Sequence, residues 1–148
     1  MDLPARPCPS SAWRRMGVVL APTESWEGRF LDNSAGTVEP LQDGRWRFWY
    51  STQDPDLDFA VGVAEGVPTE PQRKCPALLR SACLPNAELC LDGLPTGWRP
   101  YAPTHLVLSD GRRRLYFWAR SRSEGVLRFL AADSDDGRRY ETLNANRP

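Results

Sequence analysis

One pattern occurs twice in this chain, and its second copy lies 67 residues after the first, from Asp43 to Asp110. Asp43-Gly44 and Asp110-Gly111 are dipeptides typical of β-hairpin turns. A slide of 67 puts Phe48, Trp49 and Tyr50 on Leu115, Tyr116 and Phe117, and a slide of 68 puts Phe59, Val61 and Ala64 on Leu127, Phe129 and Ala132. Because side-chain character repeats together with the turn, we expect one supersecondary unit used twice.

Each copy has the succession of strands found in a β-propeller blade. Its segments alternate with period two, as half-buried strands do. The predicted strands are Thr37–Leu41, Arg45–Ser51 and Asp58–Ala64 in the first copy, and Leu106–Leu108, Arg114–Ala119 and Gly125–Asp133 in the second. We therefore predict an all-β, propeller-like fold of about two four-stranded antiparallel blades. An antiparallel β-sandwich is the alternative.

The predicted domain follows from the extent of these units. Residues 1–15 are expected to form a flexible N-terminal arm, and residues 16–148 one domain with blade-like units at about 36–80 and 101–142.

Three local expectations concern the segments around the units. Met16–Ala21 is predicted as a short strand, an outer strand is expected near Ala77–Arg80, and Asn86–Leu94 could make one helical turn. Trp46, Phe48 and Tyr50 alternate along the first aromatic strand, so this face is expected in the core.

The charge balance removes the usual argument for a polyanionic partner. The chain has 19 basic and 19 acidic residues among 148, so we expect neither a nucleic-acid nor a membrane partner. Val18–Ala21 before Pro22 is shorter than the core of a signal peptide, which needs about 7 residues or more. A cytoplasmic protein is the expectation.

The four cysteines give no metal signature. Cys8, Cys75, Cys83 and Cys90 contain no Cys-x-x-Cys pair, and the chain has a single histidine. A disulfide among the last three is geometrically open, but free thiols are expected in a reducing compartment. With no phosphate-binding glycine loop either, we predict no metal and no cofactor.

The two units resemble blades of the five-bladed propeller glycosidases, which include arabinanase, xylosidase and levansucrase-like enzymes and the related mannoside phosphorylases. Val38-Glu39-Pro40, followed by the hairpin and Trp46–Ser51, is similar to their first blade. Tyr101-Ala102-Pro103 followed by Leu115–Trp118 is similar to their Trp-Ala-Pro blade. Ala132–Gly137 resembles the end of a third strand in such blades, and also the Asp-box turn of sialidase propellers.

The resemblance implies a carbohydrate-active propeller and assigns roles by position. Glu39 stands where the family has the Asp that acts as nucleophile or base, and Thr104 stands where a second Asp tunes the acid. The family's general acid belongs to a later blade, so two blades of five are expected in this chain. A fragment, a degenerate relative, or several chains that together build one propeller would each account for this.

Glycoside hydrolysis needs two carboxyl groups that face one sugar. Glu39 and Asp32 are the catalytic candidates, with a solvated strand start and a turn as their structural alternatives. Trp26, Trp98 and Tyr101 could stack on sugar rings, or could cap the core between blades.

One further position has both a functional and a structural interpretation, and one turn has a structural one. His105 could line the substrate pocket, or could be a hydrogen-bonded structural residue. Ser134 and Asp135-Asp136-Gly137 are predicted to form a turn that closes a blade, in which side-chain oxygens accept backbone N–H bonds.

Two classes of function follow. The first is a glycoside hydrolase-like propeller protein, or a piece of one, that acts on or binds oligosaccharides, and whether it is an enzyme is left open. The alternative is a non-catalytic carbohydrate-binding or protein-interaction domain that closes a ring as a homo-oligomer.

Overall fold

The computed structural model describes residues 18, 20–24, 26–28, 31–32, 37–53, 59–67, 73–74 and 90–143. These residues form an all-β structure without a helix. The ten strands are β1 Leu31–Asp32, β2 Val38–Pro40, β3 Trp46–Gln53, β4 Phe59–Gly66, β5 Arg73–Lys74, β6 Cys90–Asp92, β7 Trp98–Val107, β8 Arg113–Ser121, β9 Val126–Ser134 and β10 Arg139–Leu143. The predicted fold class is thereby confirmed as all-β.

The strands form two sheets, which we call sheet I and sheet II. In sheet I, β1 and β2 both pair with the same edge of β3, and β4 and β5 follow in antiparallel order. In sheet II, β7 to β10 form an antiparallel meander, and β6 adds in parallel to β10. Both sheets therefore contain a run of four antiparallel strand positions in chain order, as a propeller blade or one sheet of a sandwich does.

The internal repeat holds at the level of strand register. Val38 pairs with Phe48 in sheet I, and His105, 67 residues later, pairs with Leu115 in sheet II. The pair Gln53 and Phe59 becomes Arg120 and Leu127, where the second strand has moved by 68 residues. The slides of 67 and 68 read from the sequence thus superpose the pairing of both sheets, so the repeat is structural.

The same ionic clamp closes both hairpins. Arg45 donates from its backbone N and from Nε to the Asp43 carboxylate, at 3.1 and 2.7 Å. Arg112 does the same to Asp110, at 3.0 and 2.8 Å. Gly44 and Gly111 have φ of 79° and 85°, which the turn requires and side chains disfavour. The hydrogen bonds with Arg45 and Arg112 lower the pKa of Asp43 and of Asp110.

The hydrophobic core lies between the two sheets. Sheet I contributes Trp49, Val61 and Val63, all at most 1% exposed. The opposing side chains come from the strands of sheet II and from the connection between β6 and β7: Leu91, Leu94, Trp98, Leu115, Phe117, Ala119, Ala132 and Tyr140.

The expected core face of β3 is corrected in one respect. Tyr50 is fully buried and Phe48 half-buried, but Trp46 is 36% exposed. Trp49, on the opposite side of the strand, is fully buried instead, because sheet II covers that face. Sheet I is therefore buried on both sides, which a one-sided alternation does not predict.

Three other expectations change. The described residues of Met16–Ala21 are not in a strand, and Val18 is 78% exposed. The outer strand of sheet I is β5, and the expected strand at Ala77–Arg80 lies outside the described residues. Part of Asn86–Leu94 is strand β6, because its backbone pairs with β10.

Cys90 is disulfide-bonded, so the expectation of free thiols is wrong for this residue. The other three cysteines lie outside the described residues, as do residues 1–15. Within the described part, no helix is long and apolar enough to cross a membrane.

Candidate functional site

Glu39 and His105 meet at the junction of the two sheets. Glu39 lies on β2, opposite Arg47, and its side chain is 11% exposed. His105 lies on β7, and its Nδ1 is 3.6 Å from Oε2 of Glu39. The backbone N–H of His105 donates to Oγ1 of Thr37, at 2.8 Å, which holds the two strands together. Two predicted site residues are thus brought into contact.

Two guanidinium groups flank the Glu39 carboxylate. Nη1 of Arg47 is 3.4 Å from Oε2, and Nε of Arg113 is 3.9 Å from Oε1. Arg47 also bridges to Glu65, with Nη2 at 2.7 Å from Oε1. Burial alone would lower the pKa of Arg47, but the hydrogen bond and charge of Glu65 raise it. The carboxylate charge is therefore matched by cations from both sheets.

The other side of His105 contacts aromatic groups. Nε2 lies 3.1 Å from the hydroxyl of Tyr140, and the imidazole stacks on Trp49 at 5.0 Å between ring centroids. Burial, followed by the charges of Arg47 and Arg113, lowers the pKa of His105 to about 4. Burial and the charge of Glu39 raise the pKa of Tyr140.

This cluster can transfer a proton along Glu39, His105 and Tyr140, or it can lock the two sheets in one orientation. The uncharged imidazole has one nitrogen that donates and one that accepts, so it can link a carboxylate to a phenol. The low exposure of both Glu39 and His105 favours the second role, because a substrate would have to reach groups enclosed by the sheets.

The remaining catalytic and aromatic candidates lie apart from this pair. Asp32 is in β1, where its backbone pairs with Ser51, and its side chain lies outside the described residues. Trp26 is in a turn, half-buried, and stacks on Tyr50 at 6.3 Å. Trp26 therefore covers sheet I on the side opposite sheet II.

Trp98 and Tyr101 lie within β7 rather than in a loop before it. Trp98 is only 4% exposed, belongs to the core, and has the guanidinium of Arg128 at 5.1 Å from its ring centroid. Tyr101 is half-buried and stacks on Phe59 of sheet I at 4.5 Å. These contacts correspond to the core-capping alternative for both residues.

A bulge next to Tyr101 joins β7 to sheet I. The pairing of β7 with β8 shifts between Tyr101 and Thr104, and Ala102 has a φ of 50°. The Ala102 N–H donates to Oγ of Ser51 at 2.6 Å. The bulge thus points the N–H group of Ala102 toward sheet I. Redirecting a group in this way is a common role of β-bulges.

The turn after β9 forms as predicted. The Gly137 N–H donates to Oγ of Ser134 at 2.8 Å, and the N–H groups of Arg138 and Arg139 donate to Oδ1 of Asp136. These backbone bonds lower the pKa of Asp136.

The outer face of sheet II carries an exposed aromatic surface that the sequence reasoning did not single out. Its centre consists of Tyr116, Trp118 and Phe129, which pack on one another at 5.8 and 5.2 Å. Trp118 is 39% and Phe129 57% exposed, and Leu127 beside them is 49% exposed. The signal was present in the repeat, since Tyr116 and Phe129 map onto buried Trp49 and Val61 of sheet I.

In the described part of the chain, no group of three or more acidic, histidine or cysteine residues could hold a metal ion. Comparison of the chain with protein-family models, with curated proteins and with solved structures finds no match.

Proposed function

We propose that this chain is a non-catalytic binding module that packs the outer face of sheet II against a further β-sheet, as neighbouring blades pack in a propeller. The observation that carries the proposal is the exposed aromatic surface of Tyr116, Trp118 and Phe129. A contiguous apolar patch that is exposed in this way often marks an interaction site on a soluble protein.

The internal repeat supports a sheet as the partner. Trp49, Val61 and Val63 form the face of sheet I that sheet II covers, and they are buried to 1% exposure or less. The same positions in sheet II, after slides of 67 and 68, are Tyr116, Phe129 and Ala131. The repeat relates the covered face of sheet I to the outer face of sheet II. We therefore expect the outer face of sheet II to pack against a third sheet in the way that sheet I packs against sheet II.

The proposed partner must be mainly apolar opposite this surface. At one end of this surface, Arg114 and Asp133 neutralise each other within sheet II, because Arg114 donates from Nε and Nη2 to both oxygens of Asp133, at 2.6 and 2.7 Å. A partner that covers this pair therefore leaves neither of the two charges unpaired. An unpaired buried charge would be strongly destabilising.

Footprinting with hydroxyl radicals in the cells that make the protein tests this function. Trp46 and Trp118 are 36% and 39% exposed, so they provide a matched pair on different sheets. We expect oxidation of Trp118 to be several-fold lower than that of Trp46, as read by mass spectrometry. Equal oxidation of both would show that the face is uncovered in the cell and would refute the proposal.

Binding of oligosaccharides by the same face is the second candidate. Exposed aromatic rings can stack on the apolar faces of sugars, and Trp118 and Phe129 are available in this way. This reading keeps the carbohydrate class that the blade resemblance implies. It predicts that a soluble oligosaccharide protects Trp118 from oxidation while the mass of the protein in solution stays unchanged.

A further inference from the structure

The junction of sheets I and II shows how one sheet of this chain is matched to the sheet that covers it. On the sheet I side, Glu39 lies beside Arg47, which also pairs across the strands with Glu65. One guanidinium and two carboxylates give this group a net negative charge. Arg113 of sheet II places its Nε 3.9 Å from the Glu39 carboxylate. The balancing cation is thus supplied by the covering sheet.

The repeat places a balanced group at the same point of the open face. After the slides of 67 and 68, the equivalents of the three side chains on the sheet I side are Leu106, Arg114 and Asp133. Arg114 and Asp133 form an ion pair, and Leu106 is the cross-strand neighbour of Arg114. A sheet that covers this point therefore has no charge to balance. An arginine in that sheet would be buried against Leu106 without a counter-ion, which is destabilising.

His105 is the second polar group that sheet II brings to the existing junction. Its Nδ1 lies 3.6 Å from Oε2 of Glu39, and its backbone N–H donates to Oγ1 of Thr37. Thr104 stands 67 residues after Thr37 and is exposed, and a hydroxyl has two acceptor lone pairs. The backbone bond can therefore recur on the open face, whereas an imidazole would meet no carboxylate there.

We propose that the outer face of sheet II receives a β-sheet of a different polypeptide, which carries apolar side chains at the positions equivalent to His105 and Arg113. The strand of that sheet equivalent to β7 donates a backbone N–H to Oγ1 of Thr104 and sets an aliphatic side chain on Leu106. This inference rests on the proposed function and specifies the partner, which resembles sheet II in its packing but has neither the histidine nor the arginine.

A second copy of this chain offers the required apolar residues only on a closed face. Val38 and Trp46 occupy the two equivalent positions in sheet I, on the side away from sheet II. On that side Tyr50 is fully buried, Trp26 stacks on it, and its hydroxyl donates to Oε1 of Glu27 at 2.7 Å. A second copy would have to displace this hydrogen-bonded cap, so the face is assigned to a different chain.

Oxidation of Trp118 by hydroxyl radicals, measured relative to that of Trp46, reports whether the face is covered. We expect about equal oxidation in the purified 148-residue chain, and several-fold lower oxidation of Trp118 in the cells that make it. Protection of Trp118 that rises with the concentration of the purified chain would place a second copy on the face and would overturn the inference. Absence of protection in cells would refute the proposed function as well.

Leu106→Glu tests the chemistry of the partner. It introduces the carboxylate that sheet I has at this position, at a site that is 46% exposed. Under an apolar partner this carboxylate is buried without the added cation that sheet I receives, so affinity should fall about tenfold or more. In cells, Trp118 should then be oxidised as strongly as Trp46. Leu106→Met, which stays apolar at similar volume, should retain wild-type protection.

The same variant separates this inference from the proposed function. Unchanged or stronger protection of Trp118 in Leu106→Glu, with the fold verified by circular dichroism, would show that the partner does not place an apolar group at this point. That result would overturn the inference and leave the proposed function in place, because the face would still be covered.

Discussion

His105 should stay uncharged in the folded protein down to about pH 4, although a histidine in an unfolded chain titrates near pH 6.5. The cause is burial between the sheets, reinforced by the guanidinium groups of Arg47 and Arg113. The Glu39 carboxylate, 3.6 Å from Nδ1, acts in the opposite direction and favours the charged imidazole. The prediction is that burial and the two arginines together outweigh this one carboxylate.

The size of the effect follows from the two pKa values. The difference between about 4 and 6.5 corresponds to about 3 kcal/mol, at about 1.4 kcal/mol per pH unit. The unfolded chain takes up the proton first as the pH falls, so this contribution to the free energy of unfolding is fully present above pH 6.5. It declines from there to about pH 4, with about 2.5 kcal/mol lost by pH 4.5.

The assay is direct because the chain contains a single histidine. Its ring proton resonances, followed by NMR as a function of pH, should show no titration between pH 8 and 5. Chemical denaturation at pH 7 and 4.5 should give a smaller difference in unfolding free energy for His105→Gln than for the wild type, because glutamine has no proton to take up. A resonance that titrates at or above pH 6.5 would show that Glu39 prevails and would refute the reasoning.

Three further outcomes can be measured on the same protein. Gly137→Ala should lower the free energy of unfolding by about 2 kcal/mol in denaturant titrations, because Gly137 has a φ of 72° and a Cβ there would lie 2.6 Å from Cδ of Arg113. Arg47→Met should cost about 3 kcal/mol in the same assay, because it leaves the carboxylates of Glu39 and Glu65 without their shared cation. Release of reducing sugar from arabinan and xylan oligosaccharides should be absent from the wild type and from Glu39→Gln alike. Activity that this substitution abolishes would instead assign Glu39 as a catalytic base or nucleophile.

Local chemistry made the repeat visible in the sequence. Asp-Gly marks both hairpins, in which the Gly44 N–H donates to the Leu41 carbonyl and the Gly111 N–H to the Leu108 carbonyl. Arg45 and Arg112 complete the same clamp in both copies. The hairpin sets the register of β2 on β3 and of β7 on β8, so the slide of 67 carries over into the pairing of both sheets. Glu39 and His105 were both selected from the sequence, but their contact was not predicted, since it depends on how the sheets pack.

The features that sequence reasoning missed depend on contacts between distant segments. Trp46 and Trp49 are both aromatic and three residues apart, and only the position of sheet II decides that Trp49 is the buried one. The disulfide at Cys90 depends on a partner that spacing does not identify.

The places where the two units differ indicate what is specific to their junction. Glu39 corresponds to Leu106 in the second unit, and His105 corresponds to Val38 in the first, both by the slide of 67. Each polar member of the contact thus replaces an aliphatic residue at the equivalent position. A contact that arises from departures in both copies belongs to this junction and not to the repeated unit.

A buried polar pair costs desolvation, and its advantage over an apolar contact is that it selects one orientation of the sheets. The open face of sheet II has Leu106 where sheet I has Glu39, so it lacks the carboxylate that takes part in this selection.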